Sequence, residues 1–298
     1  MRAYSHPQRG FTLVEMIVVI VITGILGGMV AMFIRAPVQG YVDSSRRAEM
    51  TDIVDTALRR IGRDLRTAVP NSIRLPAPAG STYIEFLPTV AGGRYRADPA
   101  GSAGLCGGSA LGDALSFDMA DTCFGIIGPA IAFAAGDAII IGSTQSDGSQ
   151  PYQGVATATS VRRMLAPAGV GTQSIVQITS AVPFPASSEL VGRRFAVVPA
   201  AQLAVTYACL GAGINANGDG TGTLTRYWAY GFSAAQLTPA AIAALGGPSA
   251  ILADRVSACS FVYDTSNQRN SLVAINLTIT RGGESINLYH EVHVNNVP

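Results

Sequence analysis

The residue that stands out chemically is Glu15. It is the only charged residue between Phe11 and Ile34, in a run that is otherwise apolar apart from small residues and threonines. A lone carboxylate at the centre of a membrane helix costs about 2.5–3.5 kcal/mol on insertion scales, so such a residue implies a use, usually a cationic partner. Gly10 and Phe11 precede it, behind a short basic leader carrying Arg2, His6 and Arg9. The other reactive side chains are the four cysteines, Cys106, Cys123, Cys209 and Cys259, all downstream of the apolar run. An even number in an exported domain suggests two disulfides. Of the three possible pairings, the favoured one joins Cys106 to Cys123 across a glycine-rich loop and Cys209 to Cys259 between two strands. A loop of roughly 17 residues closed in this way stabilises a fold by about 3 kcal/mol in the chain-entropy account. With no CxxC pair in the sequence, a zinc ribbon or thioredoxin-like centre is not expected.

Other constellations are weaker. Asn215, Asn217 and Asp219, followed by Gly220 and Thr221, place oxygens at alternate positions like the first half of a calcium loop. The twelfth position is Arg226 instead of a bidentate Glu. The segment is therefore expected to be a polar turn, with calcium as a secondary candidate and no other cofactor. His290, Glu291 and His293 lack HExxH spacing, and on a strand the two histidines point to opposite faces. Tyr227, Trp228 and Tyr230 suggest core packing or a carbohydrate surface. No GxSxG elbow, phosphate-binding loop or dinucleotide fingerprint is present, so no enzymatic activity is expected.

These residues need elements to position them. The chain has 298 residues, a formal net charge of +1 and 13% charged residues, so its charge offers no field for nucleic acid. Residues 1–10 read as a leader and 11–34 as a transmembrane helix, about the roughly 20 apolar residues that a bilayer requires. Pro37 is expected to kink or interrupt the helix just beyond this span. Residues 35–70 read as an amphipathic continuation, with Met50, Ile53, Val54, Ala57, Leu58, Ile61 and Leu65 on one stripe. Asp43–Arg47, Asp55–Arg59 and Arg60–Asp64 fall at i,i+4 spacing on its polar side. Pro70 and Asn71 are expected to end it. Residues 71–298 alternate apolar and polar positions in a dozen candidate strands, including 72–75, 83–87, 114–119, 155–162, 194–198 and 224–232. Loops are expected at Ala91–Gly112 and Gly142–Gln153, and a short helix at Pro239–Leu245 capped by Thr238. The fold class is α+β: a long N-terminal helix packed on an antiparallel, β-rich head.

Gly10-Phe11-Thr12-Leu13-Val14-Glu15, with the leader before it and the apolar run after it, resembles the processing site of type IV prepilins and type II secretion pseudopilins. The resemblance implies cleavage after Gly10 by a prepilin peptidase, N-methylation of Phe11, and pairing of Glu15 with a neighbouring subunit's N-terminus. It implies as partners other minor and major pilins, the peptidase/N-methyltransferase, an inner-membrane assembly platform and membrane lipid. The same resemblance implies a single-pass inner-membrane protein with a periplasmic head, later part of a surface pilus. Asp64-Leu65-Arg66 before Val69-Pro70, the Cys209 and Cys259 strands and the ending Val292–Pro298, together with Arg35–Tyr41, look like minor pilins of the MshO type, from mannose-sensitive haemagglutinin (MSHA) pilus systems. A J-type minor pseudopilin of the type II secretion system shares this plan. A pilus-tip adhesin, using the loops Ala91–Gly112 and Asn215–Thr223, is a third reading.

Overall fold

Little in the sequence between Leu13 and Arg66 opposes a helix, and one forms over that whole length: α1 (Leu13–Arg66), 54 residues. The computed structural model describes residues 10–76, 80–98, 113–189, 192–264 and 270–297, except for the side chains of Ala36 and Asn270. Pro37 lies inside α1 without interrupting it. Its ring deprives the carbonyl four residues earlier of a donor, but long helical stretches flank it on both sides, and helix propagation is cooperative. The helix also stops earlier than expected. Thr67 donates to Asp64 through both its amide (3.2 Å) and its hydroxyl (2.9 Å), and the Ala68 amide donates to Leu65 at 3.1 Å. These tightened bonds use up the last carbonyls, and Arg63 and Arg66 in the final turn complement the helix dipole. Asn71 then takes a left-handed φ of 55°.

The chain divides into two compact units, Met1–Thr51 and Asp52–Pro298. In the first, every residue from Phe11 to Ile34 is exposed. Thr23 hides its hydroxyl by donating to the Val19 carbonyl at 2.5 Å. This segment is long and apolar enough to cross a membrane, with a mean hydropathy of 2.8 over its best window.

The second unit opens with the last turns of α1. After them come β1 (Tyr83–Phe86), β2 (Ala91–Tyr95), β3 (Cys123–Ile127), β4 (Ile131–Phe133), β5 (Ala138–Ile141), β6 (Arg162–Leu165), β7 (Gly171–Gln173) and β8 (Ile175–Thr179). The chain continues through α2 (Ala186–Glu189), β9 (Arg194–Val198), β10 (Val205–Leu210), β11 (Gly222–Trp228), α3 (Pro239–Ala244), β12 (Ser249–Asp264), β13 (Asn270–Arg281) and β14 (Glu284–Asn295). One six-stranded sheet runs β1-β10-β11-β12-β13-β14, with every neighbouring pair antiparallel. Strands β2-β3-β8-β6-β5-β9 close into a barrel, and β4 and β7 form a separate ribbon. The fold is thus α+β, as the sequence indicates.

The apolar stripe of α1 finds its partner in the sheet. Val54, Ala57, Leu58, Ile61 and Leu65 are buried, as are Val273, Ile275, Leu277 and Ile279 on alternate positions of β13. A fully buried side chain of this size contributes about 1.5–3 kcal/mol. Gly62 lets β14 come close: a Cβ there would lie 3.0 Å from His290 Nε2 and 3.4 Å from Val292 Cγ2. Asp64 is more than a solvated charge. Its Oδ2 accepts from the Tyr207 hydroxyl at 2.7 Å and from Arg226 Nε at 3.2 Å, while Arg60 lies 3.5 Å from Oδ1. Asp55–Arg59 forms at 2.7 Å, and Arg46 lies 3.8 Å from Asp43.

The barrel is filled by aromatic rings. Phe124 meets Phe195 edge-on at 5.5 Å and Tyr95 at 6.1 Å. Two adjacent arginines fasten loops to its wall. Arg163 is fully buried, donates to the Ser160, Arg162, Val182 and Pro183 carbonyls, and lies 4.2 Å over Phe184. Arg162 donates to Pro151 and Gln153, and burial lowers its pKa to about 10. At the base of β1, Arg74 and the fully buried Glu85 pair at 2.6 Å. Glu85 also accepts from the Tyr230 hydroxyl at 2.8 Å. The Arg74 guanidinium lies 3.6 Å over Tyr152 and donates to the Ser233 and Ala234 carbonyls.

Several expected strands move. Ala91–Tyr95 is a strand and not part of a loop; Gly92 and Gly93 mask its alternation. Residues 96–98 form no strand, and residues 99–112 lie outside the described residues. Residues 114–119 form no strand, and neither do residues 155–160, the strand beginning at Arg162. At 72–75 only an isolated bridge, Arg74 to Glu85, is made. Strands β3, β4 and β7 were not expected; two of them are only three residues long. The short helix α3 does form, with the Ala241 amide donating to Thr238 Oγ1 at 3.2 Å.

Burial raises the Glu85 pKa, against the opposing pull of Arg74 and Tyr230. The folded state therefore binds this proton more readily than the unfolded state. The contribution of Glu85 to stability is present below the unfolded carboxylate value and is lost as pH rises through the raised one. Denaturant unfolding of the full chain in detergent, followed through its single tryptophan, Trp228, should show that loss. Glu85→Gln should flatten the slope. Glu85→Ala, which strands Arg74, should cost about 3–5 kcal/mol.

Candidate functional site

The first turn of α1 begins at Thr12. The Glu15 amide donates to Thr12 Oγ1 and the Met16 amide to the Thr12 carbonyl, both at 3.2 Å. Thr12 is thus the N-cap and Glu15 the third residue of the helix, a Thr-x-x-Glu arrangement whose hydroxyl satisfies an otherwise unpaired amide. Thr12 was not singled out from the sequence, although its spacing to Glu15 is that of a capping box. The placement has two chemical consequences. Gly10 and Phe11 precede the helix, so their peptide bond lies in non-helical backbone. Nothing stands within 4 Å of a Cβ built on Gly10, and Phe11 is 78% exposed. A peptidase can draw such a bond into an extended conformation without unwinding α1. Glu15, by contrast, is fixed by the helix. Among the described residues its carboxylate has no hydrogen-bond or ionic partner. An acid in the first turn also favours the positive end of the helix dipole, by about 0.3–1 kcal/mol.

The cysteines lie elsewhere. Cys209 in β10 and Cys259 in β12 are disulfide-bonded, with a Cα–Cα distance of 6.2 Å. The two strands are separated by β11 in the sheet order. They meet through the segment before β1: the Cys209 amide donates to the Thr82 carbonyl at 2.8 Å, and the neighbouring Ser81 pairs with Phe261 of β12 in both directions, at 3.0 and 2.8 Å. Cys123 is buried and disulfide-bonded; Cys106 lies outside the described residues.

The candidate calcium oxygens are engaged by backbone. Asn215 Oδ1 accepts from the Asn217 and Asp219 amides at 2.9 and 3.0 Å, and Asp219 Oδ1 accepts from the Gly282 amide at 2.7 Å. This is how Asx residues build a turn. Asn217 is exposed at the turn's tip. The aromatic cluster divides. β11 ends at Trp228 and Ala229 takes a φ of 57°, so Trp228 and Tyr230 do not share a strand face. Tyr227 is buried in the core, and Tyr230 turns in to Glu85 and Thr206.

Residues 5–31 match the family described as "Prokaryotic N-terminal methylation motif". No curated protein and no solved structure shows a significant match to the chain. The motif supports a type IV pilin-like or pseudopilin protein, and together with the exposed apolar helix it suggests a membrane-anchored one.

Replacing Thr12 by Ala should destabilise the first turn by about 1 kcal/mol. Amide hydrogen exchange in micelles should show faster exchange at Glu15, with little change beyond the next turn. For the head, the Cys209→Ser/Cys259→Ser double variant should lose about 4 kcal/mol of unfolding free energy, the chain-entropy value for a loop with a sequence separation of 50.

Proposed function

We propose that the protein is a minor subunit of a type IV pilus-like filament, cut by a prepilin peptidase after Gly10 and N-methylated on Phe11. The supporting observation is the arrangement at the head of α1: an exposed, non-helical Gly10–Phe11 bond, a Thr12 cap and an unpartnered Glu15 in one turn. Cutting this bond creates an ammonium group at the positive end of a helix dipole, an arrangement that needs an anion. The Glu15 carboxylate supplies one, and in the low dielectric of packed apolar helices such a pair is strong. The exposed side chains from Phe11 to Ile34 provide the surface through which subunits bundle, first in lipid and then in the filament. The role is structural: the covalent chemistry is done to this chain by the peptidase/methyltransferase, while its own part is assembly with other pilins on an inner-membrane platform.

Within this class we assign the protein to a pilus of the MSHA type, on the local likeness of Arg35–Tyr41, Asp64–Arg66 and Val292–Pro298. A J-type secretion pseudopilin is the nearest rival, and loss of the gene separates the two: filament loss supports the pilus role, whereas secreted enzymes trapped in the periplasm support the secretion role. The tip-adhesin reading gains one structural point, the additional closed barrel. Intact but non-adherent filaments after deletion would favour it.

Two outcomes test the proposal directly. Co-expression with a prepilin peptidase should shorten the chain by its first ten residues and add one methyl group, seen by intact mass, and Gly10→Val should abolish both changes. Glu15→Val should be processed normally yet be missing from sheared filaments. Its normal incorporation would refute the assembly role of Glu15.

A further inference from the structure

A cleft of about 440 Å³ opens within the second unit, on the outer wall of the barrel. Its apolar surface comes from Val69 and Pro70 after α1, Ile140 of β5, and Ala196 of β9. Gly92, the register partner of Ala196, contributes no side chain, and a Cβ there would lie 2.9 Å from the Phe195 carbonyl oxygen. The concavity therefore exists because two neighbouring outward positions are nearly bare. Its size is that of a small-molecule site.

The charges around it all have the same sign. Arg66 and Arg194 line the cleft, and no Asp or Glu does. Arg94, two residues beyond Gly92 on the same face, is the direct register partner of Arg194. Two arginines opposite one another on adjacent strands repel, at a cost to the sheet. All 19 acidic side chains of the chain fall within the described residues, yet none pairs with Arg66, Arg94 or Arg194. Several other arginines of the second unit are paired, although Arg63 and Arg255 are, like these three, without a partner among the described residues. Arg193, next in sequence, takes Asp98 at 3.0 Å; Arg74 takes Glu85; Arg226 takes Asp64; Arg162 and Arg163 take carbonyls. A like-charge pair beside an apolar cleft, with no counter-ion among the described residues, offers a seat for an anion from outside.

We propose that this cleft binds a small organic anion, an apolar body bearing a carboxylate or phosphate. Arg66 and Arg194 hold the charged end in charge-assisted hydrogen bonds, Arg94 adds its field from the facing strand, and the apolar body lies against Val69, Ile140 and Ala196. The proposal does not depend on the filament role.

The full chain in detergent micelles is titrated calorimetrically with phenyl phosphate, benzoate, inorganic phosphate and phenol. Saturable binding of phenyl phosphate or benzoate is expected, tighter than that of inorganic phosphate, with none for phenol. Arg66→Gln and Arg194→Gln should each weaken it by about tenfold, the equivalent of one hydrogen bond to a charged group. Arg59→Gln, on the helix away from the cleft, should leave it unchanged. Arg94→Gln should weaken binding yet raise the melting temperature of the ligand-free protein, because it relieves the repulsion with Arg194. A merely structural arginine would not show that opposition. Absence of saturable binding, equal binding of phenol, or affinity unchanged in Arg66→Gln and Arg194→Gln overturns the proposal.

Discussion

The second unit depends on a carboxylate that has no access to water. Glu85 lies in β1, faces Thr206 across the ladder in β10, and is fully buried. Burying an ion is costly unless its lone pairs and its charge are both satisfied. Arg74 supplies the charge from the segment after α1, and Tyr230 supplies a hydroxyl from just beyond β11. The Arg74 guanidinium then covers the ring of Tyr152, whose hydroxyl donates to the Ser72 carbonyl at 2.9 Å. One buried charge thus ties together the end of the helix segment, two sheet strands and a loop of the barrel region. A burial cost of this kind makes the arrangement specific, because any misplacement of the four segments leaves an ion without a partner.

Such a network also explains how the head carries its unusual middle. Strands β1 and β10 are hydrogen-bonded neighbours, yet residues 91–198 of the barrel lie between them in sequence. The sheet remains continuous across this interruption because the strands on either side of it are fixed by groups from outside it. The barrel, for its part, pairs each of its strands on both sides and presents no open edge to a neighbour.

Patterns of long range in sequence were legible; those that depend on glycine or on short strands were not. The stripe Val54, Ala57, Leu58, Ile61, Leu65 announces a helix face and is buried as such. β9 can be read residue for residue, because Arg194–Val198 is a short apolar, β-branched run between turn signals. β2 could not be read: Gly92 and Gly93 carry no side chains to alternate, and they are glycines because β9 approaches so closely. Pro37 does not interrupt the helix as its missing donor suggests, because the helix on both sides outweighs the local penalty. At the head of α1, Gly10, Phe11 and Glu15 were evident from residue type alone, but Thr12 was not, because a cap is defined by the hydrogen bond it accepts. Asp64 and Glu85 were hidden for a similar reason. Nothing local tells a surface carboxylate from one that will meet Tyr207 or Arg74 far away in sequence.

The last register pair of β1 and β10 is Phe86 with Val205. The chain leaves the sheet and returns to it at adjacent points, about 5 Å apart for paired strands. Geometrically this junction is a socket. It asks of its occupant only that the two ends meet, and it leaves the occupant's fold and surface free to change. A chain built this way could exchange its cargo by replacing a cassette there, while the long helix and the six-stranded sheet keep the same shape.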